Sequence, residues 1–399
     1  MNPLRQKIEQ EIRERGPIPF SRYMELCLYD HELGYYSRNA QQFGKAGDFY
    51  TSSDVHAVFG RLLARQFDEM WRALGSPDQI ELVELGAGRG LFAQDVLDWS
   101  QKKFPDFFRA LRYVLVESSP ALRSRIEQTL RERIEFGKAL CVPEAFRSEK
   151  IGKGTTSVVP HNSLSEWASA PEGRTIIFAN EFFDALPVEI LSAKGSLRMD
   201  ARDGRFIETW TQPSPEELEF LDRYSVHPEG GERVEVSLVA ERTMDRIAAS
   251  IQRGFFIAID YGYTREELLA GRHRGTLKAI RRHSVSTSPY EAPGEQDITA
   301  DVNFTALATA AEKHGMQVNK LVTQSQFLLG IGEANQFADA FEECRLPQEK
   351  AKVALQLKHL VTPAGMGESF QALVMSRGIE QEKAESLSGL NFGRKPIAH

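Results

Sequence analysis

The sequence predicts an α/β fold in which a mostly parallel sheet carries helices on both faces. Apolar runs alternate with helix-compatible segments from Ile80 to Asp260, an order that is typical of parallel sheets. One of these runs ends in a glycine-rich stretch, residues 86–90, that leads directly into a helix. We expect three regions: an N-terminal helical cap with a substrate-side loop (1–77), the core with helical insertions (78–376) and a polar tail (377–399).

Apolar periodicity and turn residues predict the individual elements. Leu4, Ile8 and Ile12 recur at helical spacing before Gly16, and a second helical stripe runs from residue 62 to residue 71. Strands are expected at 81–85, 112–117, around 157–160, at 175–179 and at 255–260. Helices are expected after the glycines, after Pro120, at about 233–253, near 304–314 and towards the C-terminus. Asp203-Gly204 predicts a hairpin within 194–210, and residues after 377 are expected to be loosely held.

Composition excludes several classes of protein. The 399 residues carry a formal net charge of −7 with no basic block, so neither nucleic acid nor an anionic membrane surface is an expected partner. Three scattered cysteines make neither a disulfide framework nor a zinc site, and no histidine pair brackets a glutamate, so we expect no metal. The sequence shows no signal peptide and no apolar run of membrane-spanning length, which predicts a soluble, cytoplasmic chain and leaves its oligomeric state open.

The stretch Glu84-Leu-Gly-Ala-Gly-Arg-Gly90 has the residue types of a nucleotide-cofactor loop. Gly86, Gly88 and Gly90 allow positive φ angles and close approach of the backbone to a ligand, and the next helix offers free N–H donors. A dinucleotide fingerprint would need glycine at the position of Leu91. Glu84 would repel a pyrophosphate but attract the cationic groups of S-adenosylmethionine (SAM). The loop therefore favours a methyl donor, and a glycine-rich turn without a ligand is the alternative.

Two later strand ends extend this interpretation. Glu117 ends the next predicted strand, where such folds place an acid against ribose hydroxyls, although it could instead cap the following helix. His161 and Asn162 follow a further strand and could contact adenine or form a plain turn.

An acidic cluster, Asn180, Glu181 and Asp184, follows the apolar strand at 175–179. In a doubly wound sheet the strand that returns beside the first one places its carboxyl end next to the glycine loop, at the switch-point crevice. The two motifs should then face each other. This arrangement would hold a cofactor and a substrate in line.

Six ordered motifs resemble the MidA family. They are Gly16-Pro-Ile-Pro-Phe-Ser-Arg-Tyr-Met-Glu-Leu26, His31-Glu-Leu-Gly-Tyr-Tyr36, Phe43-Gly-Lys-Ala-Gly-Asp-Phe49, Glu84-Leu-Gly-Ala-Gly-Arg-Gly90, Asn180-Glu-Phe-Phe-Asp-Ala-Leu-Pro187 and Ile259-Asp-Tyr-Gly-Tyr263. The resemblance spans residues 15 to 375 or so. It implies a Rossmann-like class I methyltransferase core, SAM as cofactor with S-adenosylhomocysteine as product, and methylation of a protein arginine. The family includes a mitochondrial assembly factor of respiratory complex I, so a complex I core subunit is the implied partner.

A site that acts on arginine should supply carboxylates that bind the guanidinium and hold one nitrogen in line. Glu181 and Asp184, with Asn180 beside them, are the candidate catalytic residues. Gly47, Asp48, Phe49 and Tyr50, together with Asp260, are the candidate substrate-side residues. Three alternatives stay open: an NAD-dependent oxidoreductase, an assembly chaperone that keeps the fold without turnover, and a methyltransferase for small molecules.

Overall fold

The computed structural model describes residues 2–38, 57–143, 146–151, 155–160, 173–271, 275–281, 284–285 and 288–393. Within these residues an eight-stranded sheet is accompanied by smaller sheets of five, three and two strands. The strands are β1 (Ile18–Pro19), β2 (Ile80–Leu85), β3 (Leu111–Glu117), β4 (Ala139–Pro143), β5 (Phe146–Ile151), β6 (Thr155–Pro160), β7 (Arg174–Asn180), β8 (Glu189–Ser192), β9 (Gly195–Arg202), β10 (Arg205–Thr211), β11 (Arg233–Val236), β12 (Arg253–Tyr263), β13 (Lys278–Arg281), β14 (Ser284–Val285), β15 (Asp297–Thr299), β16 (Val302–Asn303), β17 (Gln317–Thr323) and β18 (Phe370–Arg377).

The helices flank these strands along the whole described chain. They are α1 (Pro3–Arg15), α2 (Phe20–Tyr29), α3 (Tyr35–Arg38), α4 (Ala57–Ala73), α5 (Leu91–Lys103), α6 (Pro105–Ala110), α7 (Pro120–Thr129), α8 (Arg131–Glu135), α9 (Pro215–Tyr224), α10 (Leu238–Ser250), α11 (Arg265–Leu269), α12 (Phe304–Glu312), α13 (Gln324–Glu333), α14 (Ala338–Phe341), α15 (Pro347–Val361) and α16 (Gln381–Glu385), followed by a 3₁₀ helix at Ser388–Leu390. None of the described helices is both long and apolar enough to span a bilayer.

The central sheet has the strand order β17-β18-β12-β7-β2-β3-β4, with β16 added beside β12. Neighbours from β12 to β4 are parallel, and β18 lies antiparallel between β12 and β17. The chain runs outward from β2 to β4 and then returns to the other side of β2 with β7. The predicted switch point therefore lies between β2 and β7, where the carboxyl ends of two parallel strands leave a crevice.

Helices cover both faces of this sheet, which confirms the predicted α/β class. Along β2, Ile80 and Leu82 join one core cluster, whereas Val83 and Leu85 join another on the opposite face. Helices α4, α5 and α13 contribute to the first cluster, and α10 and α12 contribute to the second. Because both faces are buried, apolar residues do not alternate strictly with polar ones along the strand, and its two glutamates, Glu81 and Glu84, are buried as well.

The N-terminal elements divide between two packing partners. Residues from α1 and α2 form a separate cluster with Ile190, Leu197 and Met199 of the five-stranded sheet. Helix α4 instead packs in the core of the central sheet. The proposed regional boundary at residue 77 stays a prediction.

Two expectations about secondary structure are wrong, and a third is right only in part. Strand β11 precedes α10 within the helix expected at 233–253, because Val234 and Val236 pair with β8 as a buried ladder. The strand expected around 157–160 is confirmed as β6, but it pairs with β5 in a separate hairpin, and β4 supplies the edge of the central sheet instead. The C-terminal region is also not purely helical, since β17 and β18 complete the central sheet. The hairpin at Asp203-Gly204 is confirmed, with φ of 50° and 69° at the turn.

The expectation of a loosely held segment after residue 377 is wrong for its first part. Ile379, Ala384, Leu387 and Leu390 are buried in the same core cluster as β2. These apolar residues are separated by polar ones, so the polar composition of the segment gives no sign that it packs against the core. Residues 394–399 lie outside the described part of the chain.

Candidate active site

The glycine loop connects β2 to α5 at the crevice. Gly86, Gly88 and Gly90 have φ of 68°, 56° and 74°, a region that favours glycine. Gly86 donates its N–H to the carbonyl of Val116 at 2.9 Å, which ties the loop to β3. Gly90 is the N-cap of α5 and supplies no side-chain acceptor, so the first N–H groups of the helix stay available to a ligand.

Gly88 is the glycine that faces open space. A Cβ built on Gly86 would lie 3.1 Å from the ring of Phe182, and one on Gly90 would lie 3.4 Å from Ile126. A Cβ on Gly88 would have no described heavy atom within 4 Å. A ligand can therefore approach the backbone at this position. We call Glu84, residues 86–90 and Glu117 the glycine edge.

Glu117 supports the glycine loop from the end of β3. Its carboxylate accepts the N–H of Gly88 at 2.9 Å and that of Ser119 at 2.8 Å. Burial raises the pKa of Glu117 to about 7, although the backbone N–H groups oppose this shift. Each carboxylate oxygen keeps a second lone pair, so ribose hydroxyls could still donate to it. Ser119, not Glu117, caps α7.

Glu84 lies on β2 under the same edge and is buried. The Tyr113 hydroxyl donates to its carboxylate at 2.8 Å. Burial, reinforced by the charge of Glu117, raises the pKa of Glu84 to about 8, although the Tyr113 bond opposes the shift. The glycine edge thus carries two carboxyls that a nearby cation would help to ionise.

The acidic cluster follows β7, beside the glycine loop as predicted. Glu181 has φ of 49°, in the left-handed region, and donates its N–H to the carbonyl of Ile259 on β12 at 2.9 Å. The amide of Asn180 donates to the Glu181 carboxylate at 3.2 Å. Among the described residues, none donates to the buried Oδ1 of Asn180. We call residues 180–184 and Asp260 the acid edge.

Asp260 anchors the loop of the acid edge from within β12. Its carboxylate accepts the N–H groups of Phe183, Asp184 and Tyr261 at 3.1, 3.3 and 3.0 Å. Burial and the charges of Asp184 and Glu181 raise the pKa of Asp260 well above its ordinary range. The side chain therefore holds the backbone of this loop in place, and its predicted substrate-side role stays a prediction.

The two carboxylate oxygens of Asp184 differ in their hydrogen bonding. One oxygen accepts a hydrogen bond from the Tyr261 hydroxyl, and the other, also buried, has no donor among the described residues. Burial raises the pKa of Asp184 to about 6. A buried acceptor without a donor is unfavourable. This oxygen is therefore suited to a donor that a ligand brings.

Aromatic residues cross the crevice from α2 and α3. Tyr36 accepts a hydrogen bond on its carbonyl from Ser119 at 2.8 Å and donates its hydroxyl to Asp297 at 2.9 Å. Tyr29 donates to the carbonyl of Ala185 at 3.0 Å. The N-terminal segment thus contacts the ends of both edges.

Two residues of this region were missed by sequence reasoning. Tyr261 lies within the motif Ile259–Tyr263, so its place beside Asp260 was a usable signal. Asp297 follows an irregular segment, and nothing in its local sequence marks it. Six candidate residues lie outside the described part of the chain: Gly47, Asp48, Phe49, Tyr50, His161 and Asn162.

Comparisons with known proteins place the chain among proteins of known type. Residues 62–322 match the model of a family described as S-adenosyl-L-methionine-dependent methyltransferases. The Drosophila melanogaster protein named "Protein arginine methyltransferase NDUFAF7 homolog, mitochondrial" is 30% identical over 94% of this chain and 85% of its own. Its Danio rerio counterpart is 29% identical over 91% of this chain and 84% of its own. A crystal structure from Burkholderia thailandensis with bound S-adenosyl-homocysteine is 27% identical, covers 98% of this chain and 94% of its own, and superposes with a TM-score of 0.75.

Proposed function

The chain belongs to this family of SAM-dependent methyltransferases, and we propose that it methylates a guanidinium nitrogen of an arginine in a protein partner. Membership decides between the two cofactors considered from sequence, in favour of SAM over NAD. Family membership does not identify the methyl acceptor, and its assignment as a protein arginine is what we propose. It rests on the acid edge and on the names of the relatives, which are called protein arginine methyltransferases.

The observation that carries the proposal is the accumulation of buried acids at one strand end. Asp184 and Asp260 are 3% and 1% exposed, and Glu181 adds its charge to theirs. Carboxyls packed together away from water resist ionisation, which is why the pKa values of Asp184 and Asp260 are raised. A cation placed among them removes this penalty. A neutral acceptor would not.

The residues of the glycine edge fit SAM. The open side of Gly88 admits a ligand against the backbone, and Glu84 and Glu117 supply acids to its amino group and ribose. When bound, SAM supplies an activated methyl group carried on a positively charged sulfur. Glu84 is buried on the sheet side of the loop, so its part is to provide negative charge beneath the methionine moiety.

The acid edge would orient the acceptor. A guanidinium offers a planar fork of N–H donors, and the free oxygen of Asp184 can accept one of them while Glu181 accepts another. Two fixed contacts would leave one nitrogen directed towards the glycine edge. Alignment of this kind is the main contribution that a protein can make to a displacement reaction. Above about pH 6 Asp184 is mostly ionised and can make its contact.

We also propose a protein as the partner, rather than free arginine. The resemblance to the MidA family makes a core subunit of respiratory complex I the candidate, and a cytoplasmic location fits the composition. The proposal requires that the labelled product be a protein.

Methyl labelling tests the proposal directly. The purified chain is incubated with methyl-tritiated SAM and a cell extract, and the protein and metabolite fractions are separated. Acid hydrolysis of the protein fraction then distinguishes methylated arginine from methylated lysine. We expect label in methylarginine. Label confined to metabolites or to lysine would overturn the arginine assignment, and no label in any fraction would favour a chaperone without turnover.

A further inference from the structure

Tyr261 of β12 contacts Asp184 of the acid edge and also side chains of β13 and β18. Its hydroxyl donates to one oxygen of Asp184, while the second oxygen of Asp184 has no donor among the described residues. One oxygen is therefore fixed, and the other is a buried acceptor that a ligand donor could satisfy. A carboxyl held at one oxygen cannot rotate freely about its final bond, so the direction of the second oxygen depends on where Tyr261 lies.

The ring of Tyr261 is itself held on two sides. Phe370 of β18 meets it edge-on, with the ring centroids 5.0 Å apart and the planes at 87°. Lys278 of β13 places its ammonium 5.2 Å from the ring centroid. Lys278 also pairs with Asp301 at 3.2 Å. The small three-stranded sheet thus contacts the site through this lysine.

We propose that Tyr261 is a positioning residue that aims Asp184 at the methyl acceptor, an inference that rests on the proposed function. Tyr261 does not touch the acceptor in this arrangement; it acts through Asp184. The Lys278 ammonium and the Phe370 ring fix Tyr261 in turn. The acceptor geometry is therefore set jointly by β7, β12, β13 and β18.

The electrostatic surroundings give the role a measurable signature. The hydroxyl of Tyr261 opposes the burial that raises the pKa of Asp184, and so do the backbone N–H of Ala185 and the charge of Lys278. Asp301 acts in the opposite direction. Other titratable groups face this site from the neighbouring elements: Glu181 and Asp260 beside the pair, and Tyr36 and Asp297 across the crevice. Loss of the Tyr261 hydroxyl should leave Asp184 protonated to a higher pH than in the wild type.

The test compares Tyr261→Phe with Tyr263→Phe. Tyr263 is a matched control because it is a buried tyrosine on the same strand whose hydroxyl lies beside Asn303 and not beside Asp184. The acceptor probe is a synthetic peptide library with one central arginine, and methyl transfer from SAM is followed from pH 5 to pH 9. For Tyr261→Phe we expect kcat/KM for the peptides to fall about tenfold at pH 7 and the acidic limb of the profile to move up by about one pH unit. The Kd for SAM should be unchanged.

A second readout needs no acceptor and separates this inference from the proposed function. The Tm difference between wild type and Tyr261→Phe should grow as the pH rises from 5 to 8, because the lost hydroxyl stabilises the ionised form of Asp184. In an Asp184→Asn background the difference should not depend on pH. If the wild type methylates no arginine peptide, the proposed function fails while this comparison still decides the inference. A pH-independent Tm difference, or activity profiles that match those of Tyr263→Phe, would overturn it.

Discussion

The glycine edge and the acid edge lie at the ends of adjacent strands, yet they differ in which residues carry positive φ angles and in whether their buried oxygens accept hydrogen bonds. At the glycine edge, positive φ angles fall on glycines, and Glu84 and Glu117 each accept hydrogen bonds from the protein. At the acid edge, a positive φ falls on Glu181, and oxygens of Asn180 and Asp184 are buried without donors among the described residues.

This difference separates two ways of building a binding site. The glycine edge is complete before a ligand arrives, so binding there costs little rearrangement. Both edges hold buried carboxyls that a cation would help to ionise, but the acid edge adds backbone strain and oxygens without donors among the described residues, a state that proteins tolerate at functional sites. Steric changes should therefore have their largest effect at the glycine edge, and removal of charge its largest effect at the acid edge.

The largest effect is expected from filling the open side of Gly88. Gly88→Leu places a side chain where no described protein atom lies, so it should block the ligand and lower SAM affinity by at least about 100-fold, measured by calorimetry. Gly137→Leu is the matched control, since Gly137 also has a positive φ, 69°, and open space around its Cβ. Equal SAM affinities in the two variants would show that the glycine edge is not the cofactor site.

The next effect is expected from removing charge at the acid edge. Asp184→Asn should lower kcat/KM for an arginine peptide about 10- to 100-fold and leave SAM affinity within about twofold of wild type. Asp68→Asn serves as control, because Asp68 is similarly buried, at 4% exposure, but lies on α4 and belongs to neither edge. Full activity in Asp184→Asn would remove Asp184 from the acceptor site. A matching loss of SAM affinity would erase the distinction between the two edges.

Sequence reasoning recovered four strands that are buried on both faces, β2, β3, β7 and β12, and missed β17 and β18. The recovered strands consist mainly of apolar residues and are bounded by turn residues, which is a strong strand signal in a parallel sheet. Strand β17 is an edge strand in which only Val322 is buried, so it carries little apolar signal. Strand β18 has a buried run, but a short apolar run cannot be told from a buried helix by periodicity alone.

The candidate site was predictable where its residues share a strand end and obscure where they come from distant segments. The placement of Glu84, Glu117 and Asp184 follows from strand order. The hydrogen bonds from Tyr113, Tyr261 and Tyr36 join residues 29, 77 and 261 positions apart, and no local pattern encodes such contacts. For the same reason the sequence did not reveal that Asp260 accepts the backbone N–H groups of the loop after β7.

The strain at Glu181 gives a smaller, purely structural effect. Glu181→Gly and Glu181→Ala both remove the carboxylate, so both should lose acceptor activity to the same extent. The two variants differ in how well the backbone tolerates a φ of 49°: the left-handed conformation is unfavourable for alanine but not for glycine. We expect the glycine variant to unfold in urea with a free energy about 1 kcal/mol larger than the alanine variant. At a residue with ordinary φ the order would be reversed, and that result would show that the acid edge is unstrained.

The smallest effect concerns protons at the glycine edge. The pKa of Glu84 is about 8 in the free protein, so at pH 7 most molecules hold a proton there. A bound amino group would favour the carboxylate and lower this pKa, so binding must release protons and SAM affinity must rise with pH. Between pH 6.5 and 7.5 we expect a gain of about threefold, together with proton release seen by calorimetry in buffers of different ionisation enthalpy. Glu84→Gln keeps an acceptor for Tyr113 but cannot titrate, so it should release fewer protons. Protons gained or lost by the amino group of SAM itself contribute equally in wild type and variant, so they cancel in the comparison. Equal proton release by the two proteins would show that the bound cation does not lie near Glu84.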